Sequence, residues 1–224
     1  MKMRHYLIVS MCAIGLFACK QKSQPSDSDS TSTAIAQEEA DTAKAKKSDT
    51  SAVDMPGEKA VPLAQLIVPG TSLGQTAINE TAENVHKRLG KPDDGDAAMG
   101  KSVSIWYADH NKKGYATHMY FVTDMGNDPD PRVKVIRVSS PSFKVNNKIY
   151  TGVLLKTAEE LYKLKKIGTY KLNGSDRNIF DDEKAGIAFD ADRSGTVTGI
   201  AVHETGKSPI TAYMAFFQGV TQAQ

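Results

Sequence analysis

The only two cysteines of this 224-residue chain, Cys12 and Cys19, both fall within its first nineteen residues. Everything downstream must therefore fold without a disulfide, around a hydrophobic core alone. The segment that holds them has its own pattern. Lys2 and Arg4 precede an apolar run from Tyr6 to Ala18, which stops at Cys19 in the order Leu16-Phe17-Ala18-Cys19. A spanning helix needs roughly 20 apolar residues, more than this run supplies. A basic start, a short apolar run and a small residue at the cut make a secretory signal, and the last four residues read as a bacterial lipobox. Phe17 departs from the small or aliphatic residue usual in its slot. Cys12 does not compete, because Met11 before it is not small.

The expectation is a signal peptide over 1–19 ending at a lipidated Cys19, acylated with palmitate-type chains and anchored in a membrane. Ordinary secretion after Ala18, into the periplasm or medium, is the alternative. Lys20 directly follows the cysteine, which leans toward the outer membrane of the cell envelope. Each buried methylene of an anchor adds about 0.8 kcal/mol, so several chains on one cysteine hold effectively permanently.

Charge excludes one class of partner. The 28 Lys and Arg against 26 Asp and Glu lose Lys2 and Arg4 on processing, leaving a neutral balance with nothing to attract nucleic acid. From 20 to 61 the chain is rich in Ser, Asp, Thr, Ala and Lys and has no aromatic residue. It reads as a disordered tether, whose r.m.s. reach over about 40 residues is roughly 35 Å.

A repeat organises the rest. Gly74 and Gly90 bracket a helix-like stretch, and Gly152 and Gly168 bracket another at the same spacing. Asn79, Val85, Leu89 and Gly90 with Pro92 mark the first helix. Thr157 and Glu160 form a capping box for the second, with Leu161, Leu164 and Ile167 on one face and Gly168 as its stop. Strand-like runs follow each: 102–107, 115–123 and 132–139, then 169–172, 179–180, 187–190 and 197–203. The predicted fold class is α+β, two tandem units at 62–142 and 143–219, each with helices packed on a small antiparallel β-meander, and a tail at 220–224. The apolar segment 210–220 is expected to dock on the core.

Gly70-Thr71-Ser72, the helix end Leu89-Gly90-Lys91-Pro92 and the strands after it resemble the helical-hairpin-plus-sheet unit of the SmpA/OmlA (BamE-type) envelope lipoproteins and of the tandem-repeat β-lactamase-inhibitory proteins. The second copy departs by carrying Tyr170 where the first has Pro92. The resemblance implies a non-catalytic, protein-binding envelope module.

Two motif matches compete with that reading. Residues 95–102, from Gly95 through Gly100-Lys101-Ser102, satisfy G-x-x-x-x-G-K-[ST]. A phosphate loop needs a strand before it and a helix after it, and here the expected order is the reverse, which leaves a nucleotide site a distant third. Asp190-Ala191-Asp192-Arg193-Ser194-Gly195 opens like a calcium loop, but Ala201 stands where a bidentate Glu should, so a hairpin turn is preferred and a small-ligand or calcium binder is the alternative function.

His86, His110, His118 and His203 are too scattered for a zinc site, and Ser139 and Ser140 have no nearby base. No catalytic residue, metal or cofactor is expected, and the chain is read as no enzyme. Alternation along 102–107 puts Val103, Ile105 and Tyr107 inward and Trp106 outward. Trp106, joined by His118, Tyr120 and Arg137 from the next strands, is the candidate partner-binding face, the alternative being that Trp106 caps a core between the two units. Asp124 and Met125, in the acidic proline-stiffened loop 124–131, are the other candidate, the alternative being that this loop is only a solvated connector. The expected partners are the membrane, through the anchor, and another envelope protein.

Overall fold

The computed structural model describes residues 60–223. The signal segment 1–19 and all but the end of the expected tether at 20–61 lie outside the described residues.

Three two-residue strands, β1 (Ile67–Val68), β2 (Ser72–Leu73) and β3 (Thr76–Ala77), make a small antiparallel sheet, and helix α1 (Ala82–Leu89) follows. Two hairpins come next: β4 (Asp94–Ala98) with β5 (Lys101–Tyr107), and β6 (Ala116–Asp124) with β7 (Asp128–Val138). After the short helix α2 (Leu155–Glu159) the chain builds β8 (Lys165–Leu172), β9 (Ser175–Asp182), β10 (Ile187–Ala191) and β11 (Val197–His203), then helix α3 (Ile210–Phe216) and β12 (Thr221–Gln222). The last nine strands form one sheet in the order β12-β8-β9-β10-β11-β7-β6-β5-β4.

The β7–β11 pairing, with Ala201 opposite Arg137 and His203 opposite Val135, fuses both halves of the chain edge to edge. Two tandem helix-on-meander units are therefore not what forms. The strand runs read from alternation are present, but they add up to a mostly β domain dominated by one nine-stranded antiparallel sheet. The physical reason is visible in β6 and β11. Met119 and Phe121 pack on one face of β6, while His118 and Tyr120 are buried on the other; Ile200 and Val202 alternate likewise with Ala201 and His203. Strands buried on both faces belong in the middle of a covered sheet, not in a meander with one face in water.

Two layers do the covering. Ile67, Leu73, Val85, Ile149, Leu155 and Ala158 pack against Met119, Phe121, Ile136, Phe189 and Ile200 on one face. On the other, Ile210, Ala212, Tyr213, Phe216 and Phe217 cover Tyr120, Val135, Tyr170, Ile179 and Ala188, so the 210–220 segment docks on the core as its apolar run suggests.

The helix expectations divide. α1 ends at Gly90, whose φ of 77° suits a residue without Cβ. Its cap, however, is Thr81, whose Oγ1 accepts the Asn84 N–H at 3.4 Å; Asn79 sits earlier, at φ 68°, in the turn before it. The second helix is only five residues, Thr157 lies inside it, and Leu161 is exposed. Gly168 is a strand residue in β8, where a Cβ would meet Thr221 O at 2.8 Å and the Ile210 side chain at 2.9 Å. The matching glycine spacing thus pairs a helix stop with a close-packing site, and the resemblance to SmpA/OmlA and β-lactamase-inhibitory repeats fails with it. The expected tail is also part of the sheet, through Thr221 opposite Thr169.

Candidate functional site

A buried polar constellation lies between the sheet and α3. Asp190 on β10 and Arg137 on β7 are separated by β11, and the residue of β11 opposite Asp190 is Gly199. A Cβ there would collide with the Arg137 guanidinium and the Asp190 carboxylate, so the missing side chain is what lets the two meet across an intervening strand. Arg137 Nε donates to Asp190 Oδ2 at 2.6 Å, and its Nη2 lies 2.5 Å from the same oxygen. Tyr170 from β8 donates to Oδ2 at 2.9 Å, and Tyr213 from α3 donates to Oδ1. Phe217 stacks on Tyr170 with centroids 4.2 Å apart and lies 5.0 Å from the guanidinium carbon.

Electrostatics agree with this geometry. Burial works against the Arg137 charge, but the Asp190 carboxylate and the Tyr170 and Tyr213 hydroxyls together outweigh it and hold the guanidinium protonated. Burial, then the neighbouring carboxylate, push the Tyr170 and Tyr213 hydroxyls up, so both remain donors. Asp190 receives donors on both oxygens, which a buried carboxylate requires.

Beside the network, His118 packs its ring against Phe216 and Phe217, 5.3 Å from each. Its Nδ1 is buried without a hydrogen-bond partner. Burial, then the Arg137 charge, lower its pKa to about 3, so it is a neutral imidazole. His203 is the other buried histidine among the described residues. Its Nδ1 faces the Glu204 carbonyl oxygen at 3.0 Å and its Nε2 meets Asp181 Oδ1 at 2.9 Å. Burial raises the Asp181 pKa, against the pull of His203. Both nitrogens of His203 are engaged by the protein itself.

The proposed face of Trp106 does not assemble. In the β5–β6 register His118 is opposite Ile105 and Tyr120 opposite Val103, whereas Trp106 is opposite Thr117. His118, Tyr120 and Arg137 therefore lie buried on the α3 side, and Trp106 is half-buried on the other, with its Nε1 donating to Gly90 O at 3.2 Å. Asp124 and Met125 are exposed as expected, but the long loop is a tight turn closed by Asn127 N to Asp124 O at 3.0 Å. Pro129 and Pro131 belong to the start of β7, ahead of the stretch that pairs with β11.

Both motif matches resolve into hairpins. Asp94–Ala98 and Lys101–Tyr107 are paired strands, and Met99 and Gly100, at φ 50° and 71°, make the two-residue turn between them. No helix follows Ser102, so its segment lacks the geometry of a phosphate loop. At 190–195, Asp190 is withdrawn into the core, and Asp192 Oδ1 accepts the N–H groups of Ser194 at 2.8 Å and Thr196 at 3.0 Å to close the β10–β11 turn. Among the described residues no group of three or more His, Cys, Asp or Glu converges.

One surface region stands out. The β4–β5 and β6–β7 turns lie side by side, joined by Thr123 N to Gly100 O at 2.7 Å, with the Met125 side chain over Gly100. Met99 is 93% exposed and Met125 78%. A groove of about 380 Å³ runs between this hairpin and α3, lined by Ala97, Ala98, Lys101, Val103, Tyr120 and Met214. Sequence reasoning singled out Met125 but missed Tyr170, Tyr213 and Gly199. The one available sign was Asp190, a lone carboxylate within an otherwise apolar strand.

No protein-family profile and no curated protein matches the chain. Among solved structures, a cysteine-rich secretory protein from Staphylococcus aureus is similar at 10% identity over 63% of this chain and 49% of its own, with a TM-score of 0.39. An extracellular protein containing an SCP domain from Bacillus anthracis is similar at 10% identity over 77% of this chain and 55% of its own, also with a TM-score of 0.39. The chain spans about half the length of each, and a likeness of that size carries no argument for fold or function.

Proposed function

We propose that the chain is a lipid-anchored envelope protein, favouring the outer membrane, whose folded body binds another envelope protein and carries out no chemistry of its own. The address rests on Leu16-Phe17-Ala18-Cys19 and the polar segment after it. The observation that carries the non-catalytic reading is the mutual satisfaction of Arg137, Asp190, Tyr170 and Tyr213, which turns the strongest polar constellation of the body into an internal brace. His203, with both ring nitrogens bonded within the protein, supports the same reading.

The partner contact is placed at the paired turns carrying Met99 and Met125. Flexible thioether side chains adapt to a facing protein surface without losing a preformed shape of their own. A photo-crosslinking residue substituted at Met125, and separately at Met99, tests this in intact cells. One discrete adduct from both positions, absent when the same residue is placed at Tyr115, is the expected result. Adducts no different from those at Tyr115 would contradict the assignment.

A further inference from the structure

The nine-stranded sheet has two open edges, and they are finished differently. At one, β12 is only two residues long and closes over Gly168 and Thr169 of β8, a short edge strand that offers little to a neighbour. At the other, β4 is exposed along its whole length. Such an edge is a template for another strand unless something blocks it.

The direction of its backbone groups follows from the turn. A two-residue hairpin makes Ala98 and Lys101 a mutually bonded pair, and bonded positions recur at every second residue, at Asp96 and Asp94. The N–H groups of Gly95 and Ala97 therefore face away from β5. Neither is free. Gly95 N donates to Asp94 Oδ1 at 2.9 Å, and Ala97 N donates to Asp96 Oδ1 at 2.8 Å. Lys112 Nζ donates to Asp94 Oδ2 at 2.8 Å and pins that carboxylate in place. At Gly95 a Cβ would run into the Val103 carbonyl oxygen, so this position keeps the backbone close to β5.

We infer that Asp94 and Asp96 guard the β4 edge, occupying the two outward donors that the β4 strand of a second copy of this chain would need. The guard works in two ways. Each carboxylate takes the hydrogen bond that an incoming carbonyl would accept, and a second β4 arrives with the same two negative charges, which repel the first pair. The device keeps the folded body single at its most exposed strand.

The test is sedimentation of the full processed chain with hydrogen exchange read at Gly95 and Ala97. Asp94→Ala with Asp96→Ala removes both charge and acceptor; it is expected to dimerise where wild type is monomeric, and, diluted to monomer, to exchange the two amides about tenfold faster. Asp94→Asn with Asp96→Asn keeps the acceptors and is expected to stay monomeric. Adding Ala97→Pro to the double Ala variant removes the donor that the new strand would use and should return it to monomer, which assigns the dimer to this edge. A double Ala variant that stays monomeric with unchanged exchange would overturn the inference, as would a dimer indifferent to the proline or a wild-type chain that already dimerises through β4.

Discussion

Arg137 and Asp190, 53 residues apart in the chain, form an ion pair whose side chains are 2% and 0% exposed, reaching each other past a strand that has only a glycine at the crossing point. The pair ties β7 to β10, and through Tyr170 and Tyr213 it also ties in β8 and α3. A buried pair of this kind adds little net stability over an apolar substitute, but breaking it is costly.

Arg137→Ala leaves the Asp190 carboxylate buried and unpaired, and the expected loss is about 3–5 kcal/mol. Urea unfolding measures it. The double variant Arg137→Met with Asp190→Asn removes both charges and is expected to lose less than the sum of its two single changes.

Tyr213→Phe deletes the donor to Asp190 Oδ1 with little change of shape, at an expected cost of about 1–3 kcal/mol. Because Tyr213 is the bond between α3 and the network, amide exchange should rise in α3 before it rises in β6 or β11.

Gly199→Ala inserts a methyl group where the guanidinium and carboxylate already meet. Overpacking of this order costs about 1–3 kcal/mol, and the thermal midpoint should fall accordingly.

His118 gives the pH dependence. Its folded pKa, lowered to about 3 by burial and then Arg137, lies below the ordinary imidazole value of 6.5. The unfolded chain takes up a proton that the folded chain refuses, so this contribution to stability is intact above pH 6.5 and is lost as pH falls through the interval toward 3. The expected slope from this one group is about 1.4 kcal/mol per pH unit, and His118→Phe should remove it. In the folded protein the His118 ring resonances should stay flat from about pH 8 to about pH 4.5.

Local features of this fold were legible in the chain. Alternation marked β5, β6 and β11 almost to their ends, and Gly90 marked the end of α1, because those signals depend on neighbours in sequence. The pairing of β7 with β11 was not legible, since the paired stretches of both strands are buried on both faces and nothing local says which edge they seek. Arg137 and Tyr120 read as surface residues because polar groups usually are; their burial depends on Asp190 and α3, which only the register brings near. Thr157 and Glu160 have the right spacing for a capping box, yet the segment after them is drawn into β8, where tertiary packing overrides a local helix preference.

The most direct measurement for the account as a whole is metabolic labelling with a palmitate analogue, followed by mass spectrometry of the mature amino-terminal peptide. Label on Cys19 as the first residue, absent in Cys19→Ala, is the predicted result. An unmodified chain recovered from the cytosol or the culture fluid would contradict it.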